Sequence, residues 1–341
     1  MATESVRAWA ADSAGGPLKP FSFAAEEMRP DDVEIAVETC GICHSDLSML
    51  DNEWGITAYP FVPGHEAIGR VVALGEAARE KGLQVGQRVG VGWNVRSCLH
   101  CAYCLKGEHH LCTRVEATII GRHGAFAERV RAHWLWAVPI PEAVDASAAG
   151  PLLCGGITVF APLLNLGIRP TDRVGVIGIG GLGHMALMFL RAWGCEVVAF
   201  TSSPGKAEEA RRLGAHRVLS SRDADEMAQH AASFDMVLVT ANAPLDWNAI
   251  LGLLAPKGRL HFVGAVLEPV PVQVMTLISA QTSVSASPTG SRAAIDAMLD
   301  FAARHGVSPQ VEHFPMSRVN DAISHMREGK AHYRIVLDAD F

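Results

Sequence analysis

The chain has 341 residues, 49% of them apolar, with 29 Lys and Arg against 36 Asp and Glu. This balance excludes disordered and fibrous classes and fits about two globular domains, each able to bury a core. A net charge of −7 without any run of basic residues gives no electrostatic route to nucleic acid or to an anionic membrane, so neither is expected as a partner.

At the N-terminus, MATESVRAWA places Glu4 and Arg7 where a secretory signal needs its apolar run, and the expected compartment is the cytoplasm. Short β-rich runs follow, Val33–Thr39, Ala67–Leu74 and Arg88–Val91, punctuated by Pro63-Gly64 and Gly86. They predict a β-rich domain with many loops. Eight cysteines are too few for a disulfide scaffold, and four of them, Cys98, Cys101, Cys104 and Cys112, crowd into fifteen positions. In a reducing compartment that crowding points to metal. Four thiolates spaced x2, x2 and x7 can close a tetrahedron around Zn²⁺ and leave no position for a substrate, which describes a structural site.

From Val174 the rhythm changes to strands alternating with helices. The expected strands are Val174–Ile179, Glu196–Thr201, Arg217–Leu219, Asp235–Thr240, Arg259–Val263 and Ser283–Ala286; helices fall at Leu182–Trp193, Pro204–Leu213, Asp223–Ala232 and Asp246–Leu254. Six strands with helical crossovers make an α/β, doubly wound parallel sheet. The longest apolar stretch, Val174–Leu190, holds five glycines and His184 in 17 residues, too short and broken to span a bilayer. Two helices, Arg292–His305 and Met316–Gly329, and a strand, Tyr333–Asp338, close the chain and are expected to pack back on the first domain. The expected division is 1–153 with 290–341 as the catalytic domain and 154–289 as the nucleotide-binding domain.

Gly178, Gly180, Gly181 and Gly183, with Leu182 between them, follow the first of these strands and open its helix. Glycines there let the backbone approach a pyrophosphate, whose charge sits at a helix N-terminus with free N–H donors. The end of the second strand selects between NAD and NADP, because an acid there would hold the ribose hydroxyl and repel a 2′-phosphate. Here the stretch runs Thr201, Ser202, Ser203, Pro204, Gly205, Lys206, with no acid before Glu208. Hydroxyls and an ammonium favour NADP(H); an ordinary polar loop with a solvated Lys206 is the bland alternative. Val263, which ends the fifth strand, is placed with the cofactor-contacting residues.

A dispersed constellation remains: Cys43-His44-Ser45-Asp46, Gly64-His65-Glu66 and Cys154-Gly155-Gly156. Two Cys and one His would leave one tetrahedral position of a zinc open to a substrate oxygen. Singly, Cys43 or Cys154 reads more readily as a small core residue and His65 as a satisfied core histidine, and spacing alone does not bring them together.

The stretches CGICHSD (Cys40–Asp46), YPFVPGHEAIGRVVALG (Tyr59–Gly75), VGQRVGVGW (Val85–Trp93), the Cys98–Cys112 knuckle, PLLCGGITVFAPL (Pro151–Leu163) and GIGGLGHMAL (Gly178–Leu187) resemble the zinc-dependent medium-chain alcohol dehydrogenases, in their cinnamyl alcohol dehydrogenase-like branch. The resemblance runs in order along essentially the whole chain. It implies a GroES-like catalytic domain beside a Rossmann domain, and two zincs per chain. Cys43, His65 and Cys154 are implied as catalytic zinc ligands, with Glu66 as an alternate ligand. Asp46 is implied as the partner that fixes the His65 ring, and Ser45 as the hydroxyl that begins the proton path. Thr158 is implied beside the nicotinamide, His44 and Arg334 near the pyrophosphate, and Trp54 and Trp93 in the substrate pocket. Cys40 and Cys195 receive no role.

Two departures stand out. Many members of the branch carry a proton-relaying histidine three residues after the hydroxyl residue, where this chain has Ser48, and the segment Thr113–Ala125 is several residues shorter than in the plant enzymes. The expected activity is reversible, NADP-preferring oxidoreduction of a small-molecule alcohol or aldehyde, aromatic or medium-chain aliphatic, acting mainly as an aldehyde reductase. The alternatives are reduction of an iminium carbon or a conjugated alkene, or a non-catalytic NADPH-binding role. The resemblance also implies a homodimer, or a tetramer, paired through the edge of the nucleotide-binding sheet.

Overall fold

Val33, Ile35 and Val37 alternate inward along the strand Asp32–Ile42, and this period of two makes it the spine of the first sheet. The computed structural model describes residues 5–341. The chain divides into two units by its internal contacts, one running to Cys154 and resuming over Gly290–Phe341, the other Gly155–Thr289.

In the first unit Asp32–Ile42 pairs antiparallel with Ala67–Leu74 on one edge. Along its other edge lie Arg129–His133 at its start and Arg334–Asp338 at its end. The expected return of the C-terminal tail is therefore a strand pairing, with Leu337 opposite Cys40. Beyond it, Val311–Pro315 adds a parallel strand that its sequence did not signal, because it is only half-buried and ends on proline. Charged residues on the spine are paired: Glu34 with Arg129 and Arg131, and Asp32 with Arg96.

The second unit is a six-stranded parallel sheet among the described residues, ordered Arg217–Ser220, Glu196–Thr201, Arg173–Ile177, Phe234–Val239, Leu254–Phe262, Ser283–Ala286. The order reverses at Arg173–Ile177, so the crevice outside its C-terminal end is where such a sheet binds ligands. Phe200 and Phe234 lie 5.5 Å apart in a core completed by Val237, Ile250 and Leu260.

Local differences from expectation have local causes. The helices after Asp223 and Asp246 start one residue later than expected, since each aspartate caps its helix from outside. They also end sooner, at Ala228 and Leu251. Gly155–Asn165 is a helix despite two glycines and Pro162, and is almost entirely buried. Val274–Ala280 is a helix with no buried residue, and it supplies the fifth crossover. Among the described residues no helix is long and apolar enough to cross a membrane.

Candidate functional site

The first cluster is assembled by a strand end and a helix start. Cys43 is extended and sits just before the helix His44–Leu50, whose third residue is Asp46. The Asp46 carboxylate accepts the Cys43 backbone N–H at 2.9 Å and the Gly64 N–H at 2.9 Å. It also lies 3.0 Å from His65 Nδ1. Accepting that Nδ1–H fixes the tautomer and turns Nε2 away from Asp46, where it meets Cys154 Sγ at 3.3 Å. Cys43 Sγ and Cys154 Sγ are 3.8 Å apart. The donor atoms of Cys43, His65, Glu66 and Cys154 all lie within 4.8 Å of one another, and all four residues are buried.

These spacings fit a tetrahedral zinc. Zn–S near 2.3 Å and Zn–N near 2.0–2.1 Å put two sulfurs about 3.8 Å apart and a sulfur and nitrogen about 3.6 Å apart. The electrostatics of the thiols agree. The hydrogen bond from Cys154, opposed by burial, holds the Cys43 thiol well below its ordinary range, while the same bond and burial push Cys154 up. Of the two thiols, Cys43 is thus the one drawn toward the thiolate. Burial works against a charged His65, but the Asp46 charge and hydrogen bond outweigh it and raise its pKa.

Glu66 and Arg334 form a buried ion pair, and Arg334 also donates to the Ile42 carbonyl at 3.3 Å. Burial pushes the Glu66 carboxyl up and Arg334 draws it back. Glu66 Oε2 and Arg334 Nε have no hydrogen-bond partner among the described residues. A Cβ on Gly41 would fall 2.1 Å from Glu66 Oε2, so glycine there leaves the room the carboxylate occupies. Ser45 Oγ is 3.8 Å from Cys43 Sγ. Trp93 meets His65 edge-to-face at 5.0 Å and Trp54 meets Trp93 at 6.1 Å, giving the cluster an aromatic flank. Ser48 is buried and His44 is exposed.

The second cluster, Cys98, Cys101, Cys104 and Cys112, likewise places its sulfurs within 4.8 Å of one another. Backbone N–H groups point at them: Cys101 donates to Cys98 Sγ, and Cys98 and Arg114 donate to Cys112 Sγ, each at 3.3 Å. With the His100 N–H contributing most, the Cys98 thiol is drawn down to about 5. Amides that stabilise thiolates and a complete set of four sulfurs suit a closed zinc shell. Cys40 and Cys195 are buried outside both clusters.

In the second unit, Gly178, Gly180, Thr201, Ser202, Ser203 and Lys206 all line one cavity of about 570 Å3. It opens where Arg173–Ile177 gives way to the glycine turn. Gly178 has φ +91, and Thr240 Oγ1 donates to its carbonyl at 2.6 Å. A Cβ on Gly183 would sit 1.9 Å from that carbonyl, whereas a Cβ on Gly180 would meet nothing within 4 Å. Gly183 is therefore required by packing, and Gly180 leaves open space over the turn, which a pyrophosphate fits. Gly181, Leu182 and Gly183 shape the turn without lining the cavity. Val263 does not line it either; its N–H is bonded to the Val239 carbonyl. Thr158 is buried on the helix Gly155–Asn165. Ser221, Arg222 and Asp246 line the cavity without having been singled out in the sequence, since no glycine pattern marks their loops.

Residues 29–142 match the alcohol dehydrogenase GroES-like domain, and residues 181–304 match the zinc-binding dehydrogenase family. Over 97% of this chain and 98% of the relative, the sequence is 51% identical to the aldehyde reductase AdhA of Synechocystis sp.. The chain belongs to the zinc-dependent alcohol dehydrogenases, in the cinnamyl alcohol dehydrogenase-like branch. Among solved structures, a cinnamyl alcohol dehydrogenase from Sorghum bicolor superposes with TM-score 0.93 at 38% identity, covering 98% of each chain. The enzyme of the same branch from Helicobacter pylori, solved in complex with NADP(H), superposes with TM-score 0.89 at 28% identity, again over 98% of each chain. As in these zinc dehydrogenases, the first unit is GroES-like and the second is a Rossmann fold.

Proposed function

We propose that this zinc-dependent alcohol dehydrogenase uses NADP(H) and works mainly as a reductase of aromatic or medium-chain aliphatic aldehydes. The observation that carries the reading is the set Cys43, His65 and Cys154, whose spacing suits a zinc with one position left for a substrate oxygen. The names of the relatives, aldehyde reductase and cinnamyl alcohol dehydrogenase, support the substrate class. In this reading the first unit carries both zinc sites and the second carries the nucleotide.

When bound, zinc supplies the Lewis acidity that polarises a carbonyl and the nicotinamide supplies the hydride. The chain's own residues do the rest. Asp46 holds the His65 ring. Glu66 is a reserve ligand, and Arg334 neutralises it. Ser45 gives or takes the hydroxyl proton, and buried Ser48 stands where a relay would continue. Since Ser48 does not titrate near neutral pH, the relay contributes no histidine limb to the pH profile. Trp54 and Trp93 supply an apolar wall that suits aromatic or aliphatic aldehydes. His44 and the free Nε of Arg334 are assigned to the pyrophosphate, Thr158 to the nicotinamide, and Val263 to the cofactor without a specified half.

Thr201, Ser202, Ser203 and Lys206 favour a 2′-phosphate. The test is kcat/KM for NADPH and NADH with benzaldehyde, in the wild type and in Lys206→Ala. The reading expects a wild-type preference for NADPH that shrinks in the variant, with NADH nearly unchanged; equal losses with both cofactors would contradict it.

The chain is further proposed to be a homodimer. Ser283–Ala286 is the edge strand of its sheet, and the adjoining helix exposes Val274, Met275 and Ile278 at more than 60% each. Such an apolar face beside an unpaired edge calls for a covering surface. Eight free thiols suit a reducing compartment, and the cytoplasm is the proposed location.

A further inference from the structure

Two cavities of the second unit share a wall that carries one arginine. The polar cavity over the glycine turn and a second, largely apolar one of about 350 Å3 share Ile177, Phe200, Ser221, Arg222, Leu245 and Asp246. Arg222 follows the strand Arg217–Ser220, which runs parallel to Glu196–Thr201 with Ser220 opposite Thr201. That register sets the Ser221-Arg222 loop beside the Ser202-Ser203 loop. Arg222 is exposed, and among the described residues its guanidinium has no hydrogen bond or ion pair; only its backbone N–H is engaged, donating to Ser220 Oγ at 3.2 Å.

We infer that Arg222 is a second specificity-determining contact for the 2′-phosphate of NADP(H), an inference that rests on the NADP(H) reading above. Among the described residues, Lys206 and Arg222 are the only cations lining the polar cavity. Lys206 Nζ is 3.3 Å from the Ile179 carbonyl, so part of its donor capacity is drawn toward the glycine turn. Among the described residues the one lining acid, Asp246, accepts the Ala249 N–H at 3.0 Å as a helix cap and pairs with neither cation. The hydroxyl-rich end of the cavity therefore carries a free guanidinium. Its planar fork can grip two phosphate oxygens at once, which an ammonium cannot. The neighbouring apolar cavity, walled by Met227, Ala231, Ile250 and Leu253, offers a flat base an aliphatic berth that does not require the guanidinium as a stacking partner.

The test is calorimetric titration of the zinc-loaded full-length protein with adenosine 2′,5′-bisphosphate and with adenosine 5′-monophosphate. These ligands differ by the 2′-phosphate alone. Arg222→Ala should weaken the bisphosphate about 10- to 100-fold and leave the monophosphate within about twofold. Arg222→Lys should recover part of the loss, restoring charge without the fork. Because Arg222 is exposed and unpaired, both variants should melt with the wild type. Equal weakening of both ligands would overturn the inference in favour of stacking on the base, and an unchanged bisphosphate affinity would overturn it outright. A wild type that binds the two ligands alike would overturn the NADP(H) reading itself, and this inference with it.

Discussion

Asp46 and His65, 19 positions apart in sequence, are joined at 3.0 Å with both side chains buried, and the same carboxylate also takes the N–H groups of Cys43 and Gly64. One residue thus orients one candidate metal donor through its ring and another through its backbone. Asp46→Asn keeps the size but loses the charge and half the acceptor capacity. Affinity for the catalytic zinc should fall about 10- to 100-fold. Chelator competition measures this, and an unchanged affinity would show that the carboxylate is not what holds the ring.

The two cysteine clusters should separate by phenotype. Cys98→Ser opens a closed four-sulfur shell and should lower Tm and the zinc content together. His65→Gln should leave a folded protein that has lost turnover and one zinc. Thermal melting with metal analysis on the same samples distinguishes the sites, and the reverse pattern would exchange their roles.

Two glycines three positions apart in the same turn, Gly180 and Gly183, should behave differently. Gly183→Ala forces a Cβ to within 1.9 Å of the Gly178 carbonyl and should destabilise the helix start. At Gly180 a Cβ meets no atom within 4 Å, so Gly180→Val should fold normally and lose nucleotide affinity by tenfold or more. Melting curves and equilibrium binding check both. A destabilised Gly180 variant would mean that the turn is not open as described.

His261 is buried between Ser285 and Ser287, with its ring nitrogens 2.8 and 2.9 Å from their hydroxyls. Burial, reinforced by Arg259, lowers its pKa from 6.5 to about 4. The folded protein keeps it neutral while the unfolded chain takes up a proton near 6.5. Its contribution to stability is therefore complete above that pH and lost progressively as pH falls toward 4. Tm of the wild type should fall more steeply across this window than Tm of His261→Asn. Parallel curves would contradict the assignment.

Much of the second unit was legible because its signals are local. Valine-rich strands, the glycine turn and the hydroxyl run after Thr201 each lie within a few residues, and the helical crossovers imply parallel pairing. The metal clusters differ in this respect. Cys98, Cys101, Cys104 and Cys112 lie in one knuckle and announce themselves. Cys43, His65 and Cys154 come from three distant segments, and only the folded chain puts Cys43 and Cys154 3.8 Å apart. The contact of Glu66 with Arg334 spans 268 positions and leaves no periodic trace. The helix Gly155–Asn165 was hidden by its glycines and Pro162, where burial overrides propensity. Arg222 sits in a loop with no motif, and only the pairing of the two parallel strands brings it to the cavity.

The central claim is tested most directly by NADPH oxidation with benzaldehyde, cinnamaldehyde and hexanal, before and after chelation, with zinc counted on the same sample. The account predicts two zincs per chain and an aldehyde-dependent rate that is lost on chelation and restored by Zn²⁺. Two zincs with no turnover of any aldehyde would contradict it and point to an iminium or conjugated alkene as substrate; a single zinc with NADPH bound and no turnover would point to a protein that binds the cofactor without catalysis.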